Sequence, residues 1–168
     1  MAWGFWLATT ARAMPTVEAA LRKRNWKYTR ISAHMILTGV QSIGGKYLIV
    51  LANDTEKKTL MVSFNELLID QDLDNFVRTG QLPVLRVHQS LGHTTTEVAA
   101  VCERLLGENY RIAVGRFERE PKDGEIRFVI ALPYRDRPLS VDQVDWSITV
   151  GIHTLDLILP QVHGLVAR

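Results

Sequence analysis

The sequence predicts an α+β fold: an antiparallel β-meander plus a hairpin, packed with three main helices. Three observations carry that expectation. Residues 35–40, 47–51 and 59–64 are rich in β-formers and separated by the turn signals Gly44-Gly45 and Asn53-Asp54. Ile126, Phe128, Ile130 and Leu132 alternate after a Pro121-Lys122-Asp123-Gly124 turn. Val141, Val144, Ile148, Ile152, Leu155 and Leu159 step by three or four, as one face of a helix does.

Taken in order, Pro15-Thr16 opens the first helix, with Thr16 as N-cap and an end near Arg24-Asn25. A strand follows through Trp26, Tyr28 and Ile31, then the second strand at 35–40. The continuous apolar run 47–51 reads as a central strand buried on both faces. The fourth strand is 59–64. The segment 65–81 carries few signals beyond a short helix at 72–78, and 82–88 reads as a strand with Pro83 near its start. Thr94-x-x-Glu97 has capping-box spacing, Val98, Val101, Cys102 and Leu105 share a face, and Gly107 is the expected stop. Tyr110, Ile112 and Val114 alternate as a strand reaching Phe117. The last helix starts at the Ser140-x-x-Gln143 capping box and is expected to end at Pro160.

The chain has 168 residues, 46% apolar and 23% charged. That length suggests a single domain over 16–168 with residues 1–15 as an N-terminal extension, large enough to bury roughly two-thirds of its unfolded surface without metal or disulfide. The lone cysteine, Cys102, cannot form an internal bridge. No apolar run reaches the roughly 18 residues that cross a bilayer. The opening MAWGFWL is apolar but short and has no Lys or Arg before it, and the triplet 11–13 is a weak cleavage pattern. A cytoplasmic protein is therefore expected, with Met14 as a second candidate start.

Candidate chemistry is sparse. Cys102 falls on the apolar side of its helix, where it serves packing better than nucleophilic attack. Of His34, His88, His93, His153 and His163, only His88 and His93 are close, and a five-residue step puts them on no common face. Asp70, Asp72 and Asp74 imitate the start of a calcium loop, but Asn75 replaces its glycine and Gln81 its final glutamate. No phosphate-binding glycine loop, dinucleotide fingerprint or nucleophile elbow occurs. The expectation is a non-enzymatic chain with no cofactor and no metal. The net charge of +2 gives little long-range pull on a polyphosphate. The charge is nonetheless uneven: Arg22, Lys23, Arg24, Lys27 and Arg30 interleave with Trp26 and Tyr28, which makes them nucleic-acid candidates under an alternative reading and a solvated helix end under the plainer one.

The ordered features resemble the YbjN-like proteins, a family labelled as bacterial sensory transduction regulators. The segments that carry the resemblance are Asn25-Trp26-Lys27-Tyr28, Ile36-Leu37-Thr38-Gly39-Val40, Gly44-Gly45-Lys46-Tyr47, Leu82-Pro83-Val84, Asn109-Tyr110-Arg111-Ile112, Gly115-Arg116-Phe117-Glu118 and Asp123-Gly124-Glu125-Ile126-Arg127-Phe128. They span about residues 16–162, and none is catalytic. The chain departs from the pattern at 65–81, where it is longer, and in its first fourteen residues. That family is similar in fold to type III secretion chaperones, small dimers that hold partner polypeptides. The resemblance therefore implies a chaperone-like or regulatory module that binds a protein or peptide partner, and a homodimer, with the helix at 94–106 and the hairpin at 110–132 as the expected dimer surface.

Overall fold

The computed structural model describes residues 13–66, 95–119, 126–135 and 137–166. The elements are α1 (Ala13–Lys23), β1 (Tyr28–Ser32), β2 (Met35–Gln41), β3 (Lys46–Asp54), β4 (Thr59–Glu66), α2 (Thr95–Arg111), β5 (Arg116–Arg119), β6 (Ile126–Pro133) and α3 (Val141–Val166). The strands form one antiparallel sheet in the order β1-β2-β3-β4-β6-β5. The expected α+β class, with its meander, its hairpin and three main helices, is the architecture observed. The expected short helix at 72–78, the strand at 82–88 and the turn at 121–124 lie outside the described residues.

Local chemistry explains most boundaries. α1 stops where Asn25 takes a positive φ of 55°: the N–H of Asn25 donates to Arg22 O (2.9 Å) and that of Trp26 to Leu21 O (3.0 Å), a Schellman arrangement that satisfies the last carbonyls. The helix already includes Ala13 and Met14, upstream of the expected cap at Thr16, and both are buried on its apolar face. α3 starts as the capping box requires, Gln143 N–H donating to Ser140 Oγ (3.1 Å) and Ser140 N–H to Gln143 Oε1 (2.9 Å).

Three further expected boundaries were displaced. β1 begins at Tyr28, after Trp26. α2 runs through Gly107 to Arg111, so Tyr110 is helical and β5 is a short strand at 116–119. Two ties hold that extra turn: Glu108, nearly buried, pairs with Arg104 (2.6 Å), and Asn109 bonds Phe117 across the following turn. α3 continues through Pro160 to Val166, because Ile158, Leu159 and Val162 are buried on either side of the proline and their packing outweighs its local penalty of about 3 kcal/mol.

All three helices cover one face of the sheet. Val17 and Leu21 of α1, Val101 and Leu105 of α2, and Val144, Ile148, Leu155 and Leu159 of α3 meet the inward residues Ile36, Tyr47, Ile49, Leu51, Val62, Phe64, Phe128 and Ile130. α3 lies between α1 and α2 and contacts both. On β3, Leu48 points to the opposite face and is buried with Leu37, so this strand is covered on both sides, as its unbroken apolar run implied. α3 comes close to the sheet at Gly151, where an added Cβ would lie 2.1 Å from the Phe64 ring.

That contact and the open surroundings of Gly107 predict opposite outcomes for one substitution. Gly107→Ala adds a methyl group where nothing lies within 4 Å and should raise stability by about 0.5–1 kcal/mol. Gly151→Ala drives a methyl group into Phe64 and should lower it by about 1–3 kcal/mol despite the same helical gain. Urea unfolding of the two variants measures both, and changes of equal sign would contradict the packing described.

Candidate docking face

The five cations proposed as a nucleic-acid surface are mostly committed to carboxylates of the same chain. Arg24 bonds the Asp145 side chain, the Asp145 carbonyl (2.7 Å) and the Thr149 hydroxyl, and its guanidinium lies 5.0 Å over the Trp26 ring. Lys23 reaches Asp142 (3.0 Å) and Asp145 (3.6 Å). Arg30 pairs with Glu18 (2.8 Å), and Arg22 approaches the same carboxylate (3.7 Å) while donating to the Tyr28 hydroxyl (3.1 Å). The Arg24 and Lys23 contacts fasten the end of α1 to the start of α3, and those of Arg22 and Arg30 tie α1 to β1. Lys27 is exposed and borders an open recess of about 430 Å³ at β1, lined among the described residues by Trp26, Tyr28, Thr29, Leu37, Thr38 and Gly39 as well.

A second anchor holds α3 in place. The Asp156 carboxylate accepts from the Tyr47 hydroxyl (2.8 Å), the Gly44 N–H (3.0 Å) and the Ser42 hydroxyl. Burial, with Asp156 facing it, pushes the Tyr47 phenol well up from its ordinary value. Gly44 is required here, since a Cβ would meet the Asp156 backbone at 2.6 Å. The turn between β2 and β3 is thereby clamped on α3, with Ile43 97% exposed at its tip. Near the other end of the helix, His163 Nε2 lies 2.9 Å from Glu66.

With Asp156 turned inward, the outward side of α3 carries no charge from Trp146 to Val166. Trp146 is 49% and Leu157 55% exposed, and His153 lies open between them. The neighbouring α2 exposes Leu106 (67%) and Tyr110 (95%), but Glu103 is exposed on the same stripe, and Arg104 reaches across to Gln161 of α3. Solvated helices normally place charges on their outer faces, whereas that of α3 carries Thr149, His153 and Gln161 among its apolar residues and, from Trp146 onward, no outward Asp, Glu, Lys or Arg. The sequence reading expected a contact surface on the helix at 94–106 and the hairpin at 110–132 but not on α3, whose inner stripe accounts for most of its apolar residues.

The expected dimer surface at the hairpin fares differently. Asn109 accepts from the Phe117 N–H (2.6 Å) and donates to the Phe117 carbonyl (3.0 Å), capping the outer backbone edge of β5. Arg116, Glu118 and Arg127 form an ion-pair ladder on that short strand pair. Capped and charged edges resist strand addition.

Other candidates gather no chemistry. Cys102 is a free, half-buried thiol on α2. His34 sits in the β1–β2 turn, where its N–H donates to the Ser32 hydroxyl (3.1 Å), and His88, His93 and Asp70 to Asp74 lie outside the described residues. Among the described residues, no three His, Cys, Asp or Glu side chains stand close enough to share a metal ion, and no helix is long and apolar enough to cross a membrane.

Comparison with known proteins gives a fold. No family model matches the sequence, and no curated protein matches it. Among solved structures, a chain of the HopA1–SchA chaperone–effector complex superposes with a TM-score of 0.52 at 12% identity, over 96% of this chain and 98% of that one. YbjN of E. coli, described as a candidate transcription regulator, gives 0.48 at 10% identity over 90% and 91%. The first likeness agrees with the α+β, secretion-chaperone-like fold expected from the sequence.

The His163–Glu66 contact predicts a pH dependence. The hydrogen bond to Glu66 raises the imidazole above its usual 6.5, against the opposing effect of burial. A raised folded value means that the pair stabilises fully below the unfolded value and loses that contribution as pH rises through the folded one. The stability difference between the native chain and Glu66→Gln should therefore be widest near about pH 6 and shrink towards about pH 8, remaining below about 1 kcal/mol because the imidazole is part-exposed. Denaturant unfolding across that range checks it, and a gap that widens with pH would contradict the assignment.

Proposed function

We propose that this chain is a non-enzymatic, chaperone-like or regulatory protein-binding module of the cytoplasm. In this reading it acts as a homodimer and receives a protein or peptide on the outward face of its helical layer. The observation that carries the proposal is the outer side of α3, which exposes Trp146 and Leu157 and carries no Asp, Glu, Lys or Arg from Trp146 onward except the inward-turned Asp156. Burying that side of α3 releases water from apolar area and covers no Asp, Glu, Lys or Arg of the helix, whereas leaving it open gains nothing for the fold. The fold supports the same reading only as an analogy, since similar folds host different functions.

Nucleic acid is the weaker alternative. Arg22, Lys23, Arg24 and Arg30 already have carboxylate partners, and drawing them to phosphates would break the ties between α1 and α3 or within the α1–β1 corner. Catalysis has no positive argument: Asp156, Ser42 and Tyr47 do converge, but each is used to lock a turn onto a helix.

Position-specific photo-crosslinking in living cells tests the proposal. A photoreactive residue at Leu157 or Tyr110 should give discrete protein adducts, while the same residue at exposed Glu56, in the β3–β4 turn away from the helices, gives none. Equal adduct patterns at all three positions, or no adduct at Leu157 and Tyr110, would overturn it.

A further inference from the structure

The loop from β6 to α3 is tied to the body of the fold. The Tyr134 hydroxyl donates to Asn53 Oδ1 (2.7 Å) in the interior, and the Tyr134 N–H donates to the Lys58 carbonyl (3.0 Å). The Arg137 N–H donates back to the Tyr134 carbonyl (2.9 Å), closing a turn, and Pro138 restricts the backbone beside it. Arg135 and Arg137 stand exposed on that turn, and neither has a carboxylate partner among the described residues. With Pro138 and Gln143 they line a recess of about 460 Å³ against the first turn of α3. Asp142, the carboxylate of that first turn, is paired with Lys23 (3.0 Å). Asp136, between the two arginines in sequence, lies outside the described residues.

Gln143 precedes Trp146 by three residues, so the recess adjoins the first exposed member of the outer row of α3. We infer that the recess receives acidic side chains of the polypeptide that covers α3, and so selects a partner in which Asp or Glu residues stand beside an apolar stretch. This deepens the docking reading given above and rests on it. Guanidiniums suit the role, since each offers a planar fork of donors to a carboxylate. Held on a fixed turn, they lose little backbone freedom on pairing. At the rim of a contact such charges speed encounter and turn away cationic partners more than they add affinity.

A polyphosphate fits the same surface poorly. It carries a charge at every nucleotide, and on the outer side of α3 from Trp146 to Val166 it would meet no Lys or Arg of that helix. A polypeptide can present carboxylates at one end and apolar side chains along the rest.

Photo-crosslinking of the full chain in living cells tests the inference, read as adduct yield and as the sequence of the captured segment. A photoreactive residue at Pro138 should capture a segment rich in Asp and Glu. The same residue at Leu157 should capture an apolar segment of the same partner. Arg135→Glu with Arg137→Glu should lower the Leu157 adduct about threefold or more. Arg135→Gln with Arg137→Gln should give a smaller fall in the same direction. Lys27→Glu with Arg119→Glu, an equal change in charge beside the two edge strands, should leave the adduct unaltered. All three double variants should keep the native unfolding midpoint, which separates lost docking from lost folding. A Leu157 adduct unchanged by the arginine reversal, or lowered equally by the edge pair, would overturn the acidic partner while the docking face stood. Pro138 adducts that nuclease removes, or that prove to be a second copy of this chain, would overturn it too. Absence of any Leu157 adduct in the otherwise native chain would remove the docking reading and this inference with it.

Discussion

The Phe64 ring rests against the backbone of α3 at Gly151, and the placement of the helical layer depends on that contact. Only a residue without a Cβ lets the helix come so close to the sheet. Drawn in there, α3 presents Val144, Ile148, Leu155 and Val162 to the strands and takes the central position, with α1 and α2 against its sides. The apolar burial is non-directional, so it could be satisfied by more than one rotation of the helix. Polar ties fix the rotation: Asp145 to Arg24 at one end, Asp156 to the β2–β3 turn in the middle, His163 to Glu66 near the other.

Fixing the rotation has a consequence on the solvent side. Asp156 is the one Asp, Glu, Lys or Arg between Trp146 and Val166, and its role in the turn lock draws it in from the surface, as the Glu66 contact does for His163. What remains outward is a row of apolar and uncharged residues on the most central helix of the layer. The same anchors that stabilise the monomer therefore produce a face unsuited to water. In this sense the docking surface follows from the way the fold is locked together.

Much of the fold was legible in the sequence because it is written in local signals. Turn glycines, strand alternation, the Ser140–Gln143 capping box and the inner stripe of α3 each act within a few residues. The displaced boundaries have a common origin in tertiary contacts. Gly107 is a poor helix former, yet Glu108 and Asn109 just beyond it need helical geometry to reach Arg104 and Phe117. Pro160 sits among residues whose burial overrides its missing donor. The candidate site was less legible. Arg24 and Asp145 stand 121 residues apart, and Gly44 and Asp156 112 apart, so no window of sequence shows that they meet. Without those pairings the basic run near Arg24 looks available for a polyanion, and Asp156 looks like an ordinary surface charge.

The account turns on whether the outer row of α3 is covered by protein in solution. Hydroxyl-radical footprinting in living cells and of the dilute purified chain, read by mass spectrometry, measures that directly. Labelling of Trp146 and Leu157 should be lower in cells than in the dilute chain, while labelling of Ile43, exposed on the clamped turn, stays the same. Equal reactivity at Trp146 and Leu157 in the two settings would contradict the account.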